Sequence, residues 1–286
     1  MSVRACVAVL APLVLLAAPA GAVAEPVRSP CDVAAGRIAP RGPALPGGAE
    51  VVRRLAGLSE SDRDRAIRDE VLAGNLPDFL RRPVPVELAR NADGRTGPRV
   101  TVCVLPDYLA IGTDDDHVRV PMSLHAALEV ARAFDFTLPT RRLVDAIYAQ
   151  ARVKLPPQPL PAGDSMRSTG YFVRHDAIVR SQRDADPSPA GALTAGHKKD
   201  LVLTNALWRM PGRLALYGWH RGPSAPIQPL SLVHGARYAD YSHGIRLVAT
   251  TAFVDGLPRS IFEVLRDPAL STALSDEGPI GRATEL

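Results

Sequence analysis

Nine residues, Asn205 to Arg213 with Pro211-Gly212 among them, connect two β-rich runs, 200–204 (DLVLT) and 214–218 (LALYG). A strand that returns parallel needs a crossover of about a dozen residues or more, so these two are predicted to pair antiparallel. A third run, 245–254 (IRLVATTAFV), follows at a distance that lets it join them. Further runs at 84–88, 100–105, 108–111 and 118–120 are short, rich in β-formers and separated by Asn, Asp, Gly and Pro, the pattern of strands joined by turns.

Helical signals fall between these runs. Ser59-x-x-Asp62 resembles a capping box opening a helix with Ala66, Ile67 and Val71 on one face, ending at Gly74-Asn75. Leu76 to Arg82 adds one more turn. Ser123 and Thr140 stand as N-caps before segments carrying Leu124, Ala127, Leu128 and Ala131, then Leu143, Val144, Ile147, Tyr148 and Ala151. Residues 171–182 fit either a strand or a helix. The expected architecture is α+β, a mainly antiparallel sheet with covering helices in a single domain over 48–286.

The first 24 residues carry Arg4, an apolar stretch broken by Pro12, Pro19 and Gly21, and the small-residue ending Ala22-Val23-Ala24, as a cleaved export signal does. An uncleaved membrane anchor is the other reading. No later segment has the ~20 apolar residues that a bilayer span requires. Residues 25–47, rich in Pro, Gly, Ala and Arg without a period, read as a flexible leader. The protein is therefore expected to be secreted or periplasmic. Loss of Cys6 with the signal leaves Cys31 and Cys103, either one disulfide in an oxidising compartment or two free thiols.

A formal net charge of +4, spread over pairs such as Arg53-Arg54 and Lys198-Lys199, makes no nucleic-acid stripe. No glycine loop of a nucleotide-binding kind follows a strand. The run Asp114-Asp115-Asp116-His117 lacks the alternating oxygens of an EF-hand loop and reads as a solvated turn.

Chemistry concentrates elsewhere. Four of the seven histidines, His197, His220, His234 and His243, crowd into residues 197–243 with Asp200, Tyr217, Trp219, Tyr238, Asp240 and Tyr241. Imidazole both ligates metals and moves protons near neutral pH. If the three runs from residue 200 onward reverse direction in turn, His197, His220 and His243 gather at one end of the sheet. His197, Asp200, His220 and His243 are then expected to hold a divalent metal such as zinc or to position water. His220 and His243 are the candidate acid–base groups, with Tyr241 or His234 stabilising a developing oxyanion. Trp219, Tyr238 and Gln228, beside the loop 221–230, form the expected binding wall for a sugar or peptide.

Three local resemblances accompany this pattern. Tyr241-Ser242-His243-Gly244-Ile245-Arg246-Leu247 resembles the SHGCxRL block of the L,D-transpeptidases, which cross-link peptidoglycan. The cysteine nucleophile is missing, because Ile245 follows the glycine directly, so that chemistry does not transfer. Gly163-Asp164-Ser165 with Asp240-x-x-His243 is similar to the nucleophile and Asp/His blocks of GDSL-type esterases, but Ser165 follows a proline-rich stretch instead of the first buried strand. The strings PDYLAIG, LPTRRLVDAIY, GHKKD, YGWH, PIQPL and YADYSHGIRLV resemble a family of secreted bacterial proteins of unknown function, over about Pro77 to Gly278. That resemblance implies one exported domain and no particular activity. The function expected from the residues is hydrolysis of a cell-envelope or extracellular polymer, peptide or glycan. The competing expectation is a non-catalytic module that binds such a polymer.

Overall fold

A computed structural model of the chain describes residues 29–88 and 97–285. The expected signal segment, 1–24, lies outside the described residues. In chain order the elements are α1 (Gly48–Leu55), α2 (Glu60–Leu72), β1 (Val84–Leu88), β2 (Val100–Val104), β3 (Ala110–Gly112), β4 (His117–Arg119), α3 (Leu124–Ala133), β5 (Phe136–Thr137), α4 (Arg141–Gln150), β6 (Val153–Lys154), α5 (Thr169–Asp184), β7 (Thr194–Ala195) and β8 (Lys199–Leu201). They continue with α6 (Ala206–Arg209), β9 (Leu216–His220), β10 (Pro226–Ser231), β11 (His243–Gly244), β12 (Val248–Val254), β13 (Leu257–Ser260), α7 (Ile261–Arg266) and α8 (Ser271–Leu274). The fold is α+β with mainly antiparallel pairing.

The helices start where short polar side chains can satisfy free backbone N–H groups. Ser59 Oγ accepts from Asp62 N, Ser123 Oγ from Ala126 N and Thr140 Oγ1 from Leu143 N, each at 3.2 Å. Residues 171–182 belong to α5, capped by Ser168. Its buried residues Phe172, His175, Asp176 and Val179 fall at steps of three and four, so the inward face obeys a helical period even though half of it is polar.

One sheet has the order β1-β2-β12-β13, with β5 also on β12. A second runs β10-β9-β8-β11, and β3-β4 and β6-β7 form two-stranded sheets. The antiparallel pairing expected for the runs at 200 and 214 is present, Lys199 opposite Gly218 and Leu201 opposite Leu216. The third run behaves differently from the expectation. Its upstream neighbours His243-Gly244 form β11, parallel to β8, while Val248–Val254 crosses to the other sheet and pairs with β2. The crossing is pinned by Arg246, wholly buried, whose Nη1 donates to Leu105 O at 2.9 Å and Nη2 to Thr194 O at 2.6 Å. Ile245 and Leu247 accept backbone bonds from Leu109 N and Leu105 N. A continuous apolar run carries no mark of the point at which it leaves one sheet for another.

The leader expected over 25–47 is not loose in its described part. Cys31, Ala34 and Ile38 are buried, Arg37 bonds to Thr250 and Thr251, and Arg41 to Asn75. Cys31 forms a disulfide with Cys103 on β2, closing a sequence separation of 72. The acidic turn before β4 is used structurally: Asp116 Oδ1 accepts from Ala49 N at the start of α1, and Asp114 Oδ1 from Phe79 N. Among the described residues no helix is long and apolar enough to cross a membrane.

Candidate functional site

Antiparallel β8 and β9 bring His197, two residues before Lys199, to the end of the sheet where β9 finishes at His220. His243 reaches that end by standing opposite Lys199 in the parallel pair. The three histidines thus gather at one sheet end, as the strand directions predicted. Their imidazoles do not meet at one point: two are hydrogen-bonded to different carboxylates and the third stands beside another without a hydrogen bond. His197 Nε2 lies 3.1 Å from Asp107 Oδ1, His220 Nε2 lies 2.9 Å from Asp145 Oδ1, and His243 Nε2 stands 3.9 Å from Asp240 Oδ2. Asp200 Oδ2 accepts instead from the Tyr108 hydroxyl at 2.8 Å. Among the described residues no three His, Cys, Asp or Glu side chains are grouped to hold a metal ion, so the set His197, Asp200, His220, His243 is not a metal centre. Part of the cause is backbone: Gly218 (φ 109°) and Trp219 (φ 58°) are both left-handed, which turns the end of β9 and carries His220 toward α4.

At α4 the imidazole meets an open cleft of about 410 Å³, lined by Glu87, Arg142, Asp145, Tyr148, His220 and Ser224 among others. Asp145 and Tyr148 are three residues apart on the helix and therefore neighbours on its surface. The Tyr148 ring stacks on His220 with centroids 4.6 Å apart and planes at 19°. Asp145 Oδ1 accepts from both the Tyr217 hydroxyl and His220 Nε2, each at 2.9 Å. With the carboxylate oxygen as acceptor, Nε2 is the imidazole nitrogen that donates in this contact. Burial first, then the hydrogen bond to Asp145, pushes the Tyr217 phenol above its usual range, which keeps it a donor. The His220 side chain is 2% exposed and that of Asp145 44%, so the carboxylate is the member presented to the cleft. Its Oδ2 has no donor among the described residues.

Behind His220 lies a second carboxyl. A Cβ at Gly218 would lie 3.4 Å from Asp200 Oδ2 and 3.6 Å from His220 Nδ1, so both groups border the space that the missing side chain leaves. Burial raises Asp200 to about 6, against the lowering effect of Arg246.

The other expected site residues take different places. Tyr241 is buried, and its hydroxyl accepts from Leu160 N at 2.8 Å and donates to Leu160 O at 3.2 Å, so it is committed to the backbone and not free for an oxyanion. His234 stacks flat on Tyr238, centroids 3.9 Å apart, and the Tyr238 hydroxyl donates to Asp240 Oδ2 at 3.0 Å. Trp219 is buried with Lys199 Nζ 5.1 Å from its ring centre. Gln228 donates to the carbonyl of the next residue, Pro229. Ser165 makes no hydrogen bond to His243, both of whose nitrogens lack partners. Of the four expected catalytic residues, only His220 lines the α4 cleft. Asp145 and Tyr148, which complete it, were read as part of a covering helix. A carboxylate inside the apolar stretch from Leu143 to Tyr148, one turn before the tyrosine, is the signal that could have found them.

His243 is wholly enclosed, and burial, reinforced by Lys199, His234 and Lys198 and opposed by Asp240, lowers it to about 4. Its folded value lies below the ~6.5 of an unfolded histidine, so the unfolded chain alone takes up the proton as pH falls from about 6.5 to 4. Stability is expected to fall by about 3 kcal/mol across that window from this residue. His197 and His175, also buried and lowered, act in the same direction. Asp200, being raised, acts oppositely but stands alone against three imidazoles. Urea midpoints measured between pH 7 and 4 should decline, less steeply in His243→Gln; a flat profile contradicts the assignment.

Comparison of this chain with protein-family models, with curated proteins and with solved structures finds no match.

Proposed function

We propose that this chain is an exported hydrolase acting on a cell-envelope or extracellular polymer, peptide or glycan, with Asp145 as the general base of the α4 cleft. The observation that carries the reading is the asymmetry of that carboxylate: one oxygen gripped by Tyr217 and His220, the other open to the cleft. In this reading the two donors fix the orientation of the carboxylate while the open oxygen takes a proton from an attacking water. The proton passes on to water or the leaving group as the bond breaks. Arg142, on the same wall, supplies positive charge for a developing oxyanion. Tyr148 holds the imidazole plane by stacking. The Cys31–Cys103 disulfide supports an oxidising compartment and so export.

The test is incubation of purified protein with peptidoglycan and with generic peptide and ester substrates, beside Asp145→Asn and His220→Ala. Turnover by the natural protein and a fall of about 10²–10⁴-fold in kcat/KM for Asp145→Asn are expected. Unchanged turnover in both variants overturns the assignment. A specific observation favours a second reading, a binding module: the flat His234–Tyr238 stack is half-exposed, with the Arg167 guanidinium 6.0 Å from the Tyr238 ring centre. Retention of the chain on peptidoglycan without turnover, lost in Tyr238→Ala, would select it.

A further inference from the structure

The largest cleft described, about 610 Å³, lies on a different part of the surface from the Asp145 site, between the α1–α2 turn and the start of α5. In its wall is Arg63, on α2 and only 6% exposed. Its Nη2 donates to Arg167 O at 2.6 Å and its Nη1 weakly to Thr169 Oγ1 at 3.4 Å, but among the described residues no carboxylate forms an ion pair with it. The neighbouring charges are already spent. Arg53 is paired with Glu50, Arg167 with Glu60, and both oxygens of Asp64 are taken by Ser123. Asp164, the remaining acid of the lining, is solvent-exposed and forms no ion pair with Arg63. A buried guanidinium without a counter-charge is costly, and the cost is offset when an anion binds.

The surroundings suit an anion with an apolar body. α5, sixteen residues long, begins at Thr169, and Thr169 and Gly170, at the positive end of its dipole, line the cleft. A Cβ at Gly170 would meet nothing within 4 Å, so the helix end is open on that side. Val52, Ala56, Leu58 and Val173 supply an apolar wall beside it. A cleft of this volume is of the size that holds a small organic ligand.

We propose that this cleft binds an organic oxyanion, its phosphate or carboxylate head at Arg63 and the N-terminus of α5 and its apolar body against Val52, Leu58 and Val173. This site is independent of the hydrolase reading and of the α4 cleft.

The test is calorimetric titration of the full chain with phenyl phosphate, octanoate and inorganic phosphate. Saturable binding of phenyl phosphate or octanoate is expected, whichever of the two binds identifying the head group. Both should bind more tightly than inorganic phosphate. Binding is expected to weaken at least about tenfold in Arg63→Met. Because Arg63 also holds Arg167 O, Gly170→Asp serves as the second variant. It sets a negative charge in open space at the helix end, keeps a helical residue in a helix, and should weaken binding by a similar factor while leaving the melting temperature and the Asp145 site unaffected. No saturable binding of either organic probe, binding retained in Gly170→Asp, or inorganic phosphate binding as tightly as the organic anions would each overturn the proposal.

Discussion

Replacement of Arg119 by methionine is expected to destabilise the fold by about 5 kcal/mol, the upper end of the range for breaking a buried ion pair. The guanidinium is 2% exposed and serves two buried carboxylates at once. Its Nη2 and Nε donate to Asp107 Oδ2 at 2.7 and 3.1 Å, and its Nη1 to Asp176 Oδ1 at 3.2 Å. Asp107 in turn holds His197, so removing the arginine leaves Asp107 with only an imidazole and Asp176 with only the half-exposed Arg180 as side-chain partner, and weakens the anchor of a buried imidazole. The two aspartates together raise Arg119 to well above its ordinary value, and it stays charged at every accessible pH. The cost comes from the unpaired charges and not from the lost pair as such. The triple change Asp107→Asn, Arg119→Met, Asp176→Asn should therefore cost less than Arg119→Met alone. Urea unfolding of the two variants checks this. A loss of under about 1 kcal/mol for Arg119→Met would show that the network is solvated and that the burial argument fails.

Reduction of the Cys31–Cys103 disulfide should cost about 4 kcal/mol, the loop-entropy value for closing a loop of this length. The mechanism acts first on the unfolded chain, which regains the freedom of a loop of some seventy residues. A native-state effect adds to it. The bond ties the segment carrying Cys31, Ala34 and Ile38 to β2 in the core, so its loss also loosens contacts that bury apolar surface. The denaturant midpoint with dithiothreitol and that of the Cys31→Ser, Cys103→Ser variant should agree with each other and lie well below that of the oxidised protein. Equal midpoints in both conditions would mean that the segment is held by packing alone.

The two clefts and the buried charge network divide the polar residues of this chain by role. Arg119, Asp107, Asp176 and His197 are enclosed and bonded to one another, which suits specification of the core. Asp145 and Arg63 differ from them. One offers an uncommitted oxygen to solvent and the other a guanidinium with no counter-ion, and groups left in such states are where a ligand gains most.

Local signals in the sequence located much of the fold, because their causes are local. Ser59, Ser123 and Thr140 cap helices since a short side-chain oxygen reaches the N–H three residues on, whatever the rest of the chain does. The nine-residue connection after residue 204 forces an antiparallel return by length alone, and with it the meeting of His197 and His220 at one sheet end. What the histidines do there was decided by partners distant in sequence. Asp107 and Asp145 hold His197 and His220, and these carboxylates come from segments that residue type and spacing mark only as a strand end and a covering helix, whereas His243 has beside it only Asp240, three residues away in sequence and 3.9 Å off. The disulfide, the passage of residues 245–247 between sheets and the uncompensated charge of Arg63 share that property. Each depends on which side chains the packed chain brings within a few ångströms, and periodicity along the backbone does not encode that distance.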